Sequence, residues 1–272
     1  MKKINDDWSC IGSESISPYA EVCLESVNDD NVFKNFKSDP RYIAITENVP
    51  IENGKIYAED IQAYDIDADL ISAFKENDLY GGANIVNYGE PFGFISPSTL
   101  RYIQNALDIS YFFGEGELNK IVEIGAGYGG LCKTISCLCD FEEYHIYDMN
   151  EACKLQEKYL SNFQIEGNLF YHSEPEELDD IDLLISNYAY SELGENLQDL
   201  YYNNVVRNSK KVYMILNKGQ VSREVLLKRA EKDFSVTVDK VLDFWPPNGY
   251  LYFTTMVRTV SYTHLTLPTK SS

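Results

Sequence analysis

The sequence predicts an α/β fold for this chain of 272 residues. A parallel sheet flanked by helices ends in an antiparallel C-terminal hairpin and follows a mainly helical N-terminal region. Three observations predict it. From Lys120 onward short apolar runs alternate with helical segments, and a glycine-rich turn joins the first run to the first helix. The last two runs are separated by Trp245-Pro246-Pro247-Asn248-Gly249, a link too short for a right-handed parallel crossover, so those strands should pair antiparallel.

Residues 1–115 carry amphipathic pieces such as 19–36, broken by turn signals at Asp39-Pro40, Asn53-Gly54 and Gly81-Gly82. Ser96-Pro97-Ser98 opens a helix over 99–113, where Leu100, Ile103, Leu107 and Phe112 recur at near-helical spacing, and Gly114 closes it. Residues 116–258 form the sheet domain. Its strands read IVEIG, YHIYD, NLFYH, DLLISN and KVYMIL, with helices at 129–139, 151–162 and 193–207 between them. A helix at 222–232 and strands at 234–241 and 250–258 complete it. Residues 259–272 form a third segment. The stretch VSYTHLTLPTKSS lacks acids and resembles a translated sequencing adapter, so it is expected to be a non-native read-through tail and His264 is set aside.

With 44% hydrophobic and 24% charged residues the chain has the material for a core, which excludes wholesale disorder. No run approaches the roughly 20 apolar residues of a membrane span. The start MKKINDDW passes from lysine into acid without a signal-peptide core, so no membrane insertion and a cytoplasmic location are expected. A net charge of -20, from 23 Lys and Arg against 43 Asp and Glu, repels a phosphate backbone, and nucleic acid is not an expected partner. The cysteines at 10, 23, 132, 137, 139 and 153 include no C-x-x-C pair, and reduced, buried thiols are expected.

The glycine loop carries the chemistry. Strand one runs into Glu123-Ile124-Gly125-Ala126-Gly127-Tyr128-Gly129-Gly130. Glycine lets the backbone turn tightly and approach a ligand, with the N–H groups of the next helix behind it. Gly125, Gly127 and Gly130 by themselves also satisfy the dinucleotide pattern G-x-G-x-x-G. Glu123 separates the two readings: a carboxylate at the strand mouth attracts the ammonium and sulfonium of S-adenosylmethionine and repels a pyrophosphate. The pattern E-x-G-x-G-x-G therefore resembles motif I of the S-adenosylmethionine-dependent methyltransferases. Asp148 ends strand two, where a carboxylate can accept both ribose hydroxyls or cap the next helix.

The string from IVEIGAGYGGLC through YDMNEACKLQEKYL to LLISNYAYSEL resembles the sugar O-methyltransferases of the NanM type over about residues 90–258. The segment from Gly93 to Tyr102 shares the likeness. The resemblance implies a Rossmann-like class I methyltransferase sheet, S-adenosyl-L-methionine as cofactor, and a small-molecule or glycan acceptor. It implies that Ala126, Tyr128 and Met149 join Glu123, Gly125, Gly127, Gly129 and Asp148 along the cofactor. It also places His172 and Ser173 by the adenine and Asn187 at the strand-four end. Methyl transfer to a sugar hydroxyl is an in-line displacement that needs positioning and either a base or a metal. Glu192 and His172 are the rival bases, with Tyr188 and Tyr190 lining the acceptor. No metal-ligand cluster is spelled out, although scattered carboxylates are compatible with a divalent ion. An NAD-binding oxidoreductase and a catalytically silent Rossmann-like relative are the alternative readings.

Overall fold

A computed structural model describes residues 16–113, 118–216, 223–240 and 252–258. The tail 259–272, the Trp245-Pro246-Pro247-Asn248-Gly249 turn, Gly114 and Cys10 lie outside the described residues. The other cysteines are free thiols; Cys23, Cys132 and Cys153 are buried, Cys137 and Cys139 partly so.

The N-terminal region is helical: α1 (Pro18–Asn28), α2 (Asp30–Phe33), α3 (Pro40–Ile43), α4 (Ile51–Ile61), α5 (Ala68–Lys75) and α6 (Pro97–Phe113), with a two-stranded ribbon of β1 (Val86–Asn87) and β2 (Phe94–Ile95). Side-chain caps set several boundaries. Ser17 accepts from the Ala20 N–H and starts α1. The amphipathic stretch 19–36 is broken at Asp29, whose extended backbone ends α1 and whose carboxylate accepts from the Asn31 N–H to start α2. Asp39-Pro40 is a helix start, with Asp39 as cap and proline in the first turn. The Asn53-Gly54 turn signal is corrected by the structure, because both residues lie inside α4. There the Tyr88 phenol occupies the space that a Cβ on Gly54 would fill, so packing selects the glycine.

The sheet strands are β3 (Lys120–Ile124), β4 (Glu143–Tyr147), β5 (Asn168–His172), β6 (Ile181–Asn187), β7 (Ser209–Leu216), β8 (Phe234–Lys240) and β9 (Tyr252–Arg258), in the spatial order β5-β4-β3-β6-β7-β9-β8. The first five run parallel. Strand β9 is antiparallel to both β7 and β8, as the short final link requires. Helices α7 (Gly130–Ile135), α8 (Asn150–Leu160), α9 (Ala189–Glu192), α10 (Glu195–Asn204) and α11 (Arg223–Ala230) connect the strands. This is the Rossmann-like α/β architecture with a helical N-terminal region. Successive strands run outward from β3 in one direction and from β6 in the other, so the crevice beyond the carboxyl ends of β3 and β6 is the switch point where ligands bind in such sheets.

Two apolar clusters cover the two faces of this sheet. On one, Val22, Cys23, Phe36 and Tyr42 of the N-terminal region pack with Tyr128, Tyr144, Ile146 and Tyr159. On the other, Val122, Ile124 and Tyr147 pack with Leu197 and Tyr201 of α10. Burial of a phenylalanine such as Phe36 contributes on the order of 3 kcal/mol. Lys158 of α8 donates to the Ser26 and Val27 carbonyls at the end of α1, which ties the first helix to the helix behind the second sheet strand. Among the described residues no helix is long and apolar enough to cross a membrane.

Candidate functional site

The β3 strand delivers the glycine loop to the switch point. Gly125 and Gly127 adopt φ of 76° and 60°, left-handed values that a side chain rarely tolerates. Space constrains Gly125 as well, since a Cβ there would overlap the Ala189 methyl group at the start of α9. A Cβ on Gly127 would lie 3.5 Å from Thr46 Cγ2, which shows that the N-terminal region reaches over the loop.

Glu123 points to the face shared with the N-terminal helices, where the Tyr144 hydroxyl donates to its Oε2 at 2.8 Å. Burial pushes its carboxyl up to about 7, against the pull of that hydrogen bond and with a smaller push from Asp148. Asp148 follows β4 and is also buried, with its carboxyl raised to about 6 by burial against the Met149 and Gln156 donors. The Met149 N–H donates to its Oδ1 and the Gln156 amide to its Oδ2, each at 2.8 Å. Met149, not Asp148, occupies the cap position of α8, and that helix has no side-chain cap.

Gln156 is a site residue that motif spacing and strand position do not reach. Its amide donates to the Gly127 carbonyl at 2.9 Å as well as to Asp148, so one side chain joins the glycine loop to the acid after β4. The signal for it was a glutamine on the buried stripe Ala152, Cys153, Leu155, Tyr159 and Leu160, where a polar group is retained only with partners.

At the opposite wall Ser186 links the ends of β3 and β6: its hydroxyl donates to the Ile124 carbonyl at 2.9 Å and accepts from the Tyr190 N–H at 3.1 Å. The next residue, Asn187, has both amide atoms shut from solvent without a hydrogen-bond partner. Tyr188 follows with φ 71° and ψ −29°, a strained backbone for a tyrosine, and donates its N–H to the Ile215 carbonyl at 2.7 Å. The Arg101 guanidinium lies 5.6 Å from the Tyr188 ring centroid.

Glu123, the glycine loop with Ala126 and Tyr128, and Asp148 are thus brought together by the structure, while Asn187 and Tyr188 stand across the switch point. Tyr128 is buried beneath the N-terminal helices, its ring 3.9 Å from the Lys37 amine, which burial lowers to about 8. Met149 is partly buried and Ser173 exposed. His172 lies on the sheet face opposite Glu123, stacked on the Tyr147 ring at 4.4 Å. Its Nε2 is 3.0 Å from His145 Nδ1, and His145 Nε2 is 3.2 Å from Glu143, so the imidazoles form a chain along the sheet. Burial lowers both imidazoles below their usual range. Tyr190 is turned into the α10 cluster and donates to the Gln198 carbonyl at 3.1 Å. Glu192 is exposed at the end of the four-residue α9. Among the described residues no group of three or more His, Cys, Asp and Glu is placed to hold a metal ion.

No family profile and no curated protein matches this chain. Among solved structures, the protein PH0226 of Pyrococcus horikoshii is 12% identical, with a TM-score of 0.49 over 60% of this chain and 92% of that one. A Thermoplasma acidophilum protein is 14% identical, with a TM-score of 0.47 over 71% of this chain and 97% of that one. The tRNA (uracil-54, C5)-methyltransferase of Pyrococcus abyssi, in complex with S-adenosyl-L-homocysteine, is 14% identical, with a TM-score of 0.45 over 65% of this chain and 45% of that one.

Proposed function

We propose that this chain is an S-adenosylmethionine-dependent methyltransferase that modifies a sugar hydroxyl of a glycan or glycan precursor. One observation carries the cofactor reading. A buried Glu123, a left-handed glycine loop and a buried Asp148 are joined through Gln156 at the switch point of a parallel sheet. The donor set fits the cofactor: Glu123 answers the ammonium of its amino-acid end, the loop backbone lies along that end, and Asp148 accepts from the ribose hydroxyls. Met149, His172 and Ser173 are the residues on the adenine side. The orphaned amide of Asn187 offers one donor pair and one acceptor to a ligand at the crevice. When bound, the group supplies an activated methyl on a sulfonium. The sugar acceptor rests on the resemblance carried by EIGAGYGG and SNYAYSEL, and residues 1–115 are taken as the cover of the acceptor pocket.

The test is calorimetry with S-adenosylhomocysteine and with NAD, followed by mass spectrometry of a nucleotide-sugar panel for the gain of one methyl group. Binding of NAD alone would replace the reading with a nicotinamide one, and donor binding without any transfer to the panel would remove the sugar.

Asp148→Ala is expected to weaken S-adenosylhomocysteine at least tenfold while a cooperative melt is retained, because charge-assisted hydrogen bonds are worth about 1.5 to 3 kcal/mol. Gln156 keeps its bond to Gly127 and α8 takes no cap from Asp148, while the Ala126 and Gly127 N–H groups lose an acceptor, so the melt should stay cooperative at a lower temperature. An unchanged affinity in calorimetry would remove Asp148 from the ribose.

Affinity should also rise with pH. Glu123 at about 7 and Asp148 at about 6 hold protons in the folded chain that the unfolded chain releases near pH 4. Their contribution to the stability of the free protein is therefore complete in acid and lost as the pH rises through 6 to 7. A ligand that pairs with the ionised carboxylates must displace those protons. Affinity for S-adenosylhomocysteine is expected to increase between pH 5.5 and 7.5, with proton release seen as a buffer-dependent heat; a flat profile would place the ligand elsewhere.

A further inference from the structure

The segment between α3 and α4 places a carboxyl group beside the glycine loop. Thr46, which packs over Gly127, accepts a hydrogen bond on its carbonyl from Arg101 Nη2 at 3.0 Å. Arg101 in turn faces the ring of Tyr188, whose side chain hydrogen-bonds Tyr57 of α4. Next to Thr46, Glu47 has its Oε1 shut from solvent with no hydrogen-bond partner. The Ser98 hydroxyl bonds this carboxyl, but the oxygen buried without a donor still costs free energy. Asn187, adjoining Tyr188 on the facing strand end, has the same deficit on both atoms of its amide. Unsatisfied polar atoms on both sides of an arginine–tyrosine contact mark a place shaped for a polar ligand.

The groups around Glu47 are of mixed sign. Lys37 and Arg101 favour its ionised form and Asp78 opposes it, while Tyr42, Tyr102 and Tyr128 are neutral neighbours. Burial is the largest influence and holds the carboxyl above its usual range, nearer to the operating range of a general base.

We propose that Glu47, on the segment that Arg101, Tyr57 and Tyr188 tie to the end of β6, accepts the proton of the acceptor hydroxyl, in place of Glu192 or His172. This rests on the methyl-transfer reading above. The hydroxyl oxygen bonds to the methyl carbon as the carbon–sulfur bond breaks with its electron pair left on sulfur, and the hydroxyl proton passes to Glu47 Oε1. The sulfonium and carboxylate charges are cancelled together, so the step separates no new charge in the site. Arg101 and Tyr188 hold the acceptor, and Thr46 fixes its distance from the loop.

The experiment compares the full chain with Glu47→Gln, Glu47→Asp, Glu192→Gln and His172→Asn. Calorimetry with S-adenosylhomocysteine, infrared difference titration of protonated carboxyls, and transfer of labelled methyl from S-adenosylmethionine to UDP- and GDP-linked hexoses are the readouts. Glu47→Gln is expected to keep donor affinity within about threefold and to lose roughly 10² to 10⁴ in kcat. Besides the late-titrating carboxyls of Glu123 and Asp148, one component of the protonated-carboxyl stretch in the parent should be missing from Glu47→Gln and shifted in Glu47→Asp, which also tests the carboxyl if the glutamine variant does not fold. Glu192→Gln should retain kcat within about threefold, and any effect of His172→Asn, on the adenine side, should fall on donor affinity and leave kcat at saturating donor. The proposal is overturned by an ordinary Glu47 titration, by wild-type kcat in Glu47→Gln, or by a more than tenfold loss of donor affinity in that variant. Failure of the parent to bind S-adenosylhomocysteine is a different result and removes the methyl-transfer reading itself.

Discussion

Gly125→Val is expected to abolish measurable binding of S-adenosylhomocysteine while the protein still melts cooperatively. Two effects act at this position. A φ of 76° strains any branched side chain, at a cost of about 1 to 3 kcal/mol. The new Cβ also meets the Ala189 methyl group, so either the loop or the start of α9 must move. The loop is the freer of the two, because Ser186 fixes the other wall to Ile124 and to the Tyr190 N–H. A displaced loop carries away the backbone on which the ligand lies, and an affinity loss of at least 100-fold, about 2.7 kcal/mol, is expected in calorimetry. Retained affinity would show that the ligand does not lie along this turn. Gly127→Val has more room, with Thr46 Cγ2 at 3.5 Å from the added Cβ, and should act through strain alone and cost less.

A chain beginning at Pro97 is expected to lose cooperative folding altogether. The N-terminal helices do not merely sit on a finished domain: Val22, Cys23, Phe36 and Tyr42 belong to the same apolar cluster as Tyr144, Ile146 and Leu183 of the sheet. Removal exposes Tyr128 and Tyr159, against both of which the Phe36 ring packs edge-on at 5.9 and 6.4 Å. It also takes the Asn77 carbonyl from the Tyr159 hydroxyl, which donates to it at 2.8 Å. Large-to-small changes at a single buried aromatic already cost about 3 to 5 kcal/mol, and loss of the whole face exceeds the stability of an ordinary domain. Calorimetric melting of the shortened chain should show no transition; a sharp transition near that of the parent would mean that the sheet domain folds by itself.

The sheet was legible because its signals are local. Apolar runs such as IVEI and LLIS declare buried strands, the glycine loop declares the turn after the first of them, and the shortness of the last link dictates an antiparallel pair. The helix beginning at Pro97 was legible through Ser96, whose hydroxyl accepts from the Thr99 N–H at 3.1 Å. That Asp78 accepts from both Ser96 and Thr99 was not, because the partners lie 18 and 21 positions away. Asn53-Gly54 misled for a related reason: the dipeptide favours a turn in isolation, and the Tyr88 phenol that requires the glycine comes from a distant ribbon. At the site, Glu123, Asp148 and the glycines follow from position on strands. Gln156, Glu47 and Arg101 gain their meaning only from helices and connections folded back over the loop, and no spacing rule within the sheet domain reaches them. His172 illustrates the converse. Its place at a strand end was correct, but the period-two alternation of side chains turns it to the face of Tyr147, away from Glu123.

Tyr188 sits where durability and usefulness pull in opposite directions. Glycine or asparagine would relieve its left-handed backbone, and a search for heat resistance alone rewards that wherever the strain exceeds the packing of the ring. Its aromatic ring is what meets Arg101, and neither replacement supplies one. A library of position 188 variants sorted for folding and the same library sorted for ligand capture should therefore diverge, the first drifting toward small residues and the second holding to aromatic ones. The strained tyrosine is a measure of how far this protein stands from the sequence that would merely fold best.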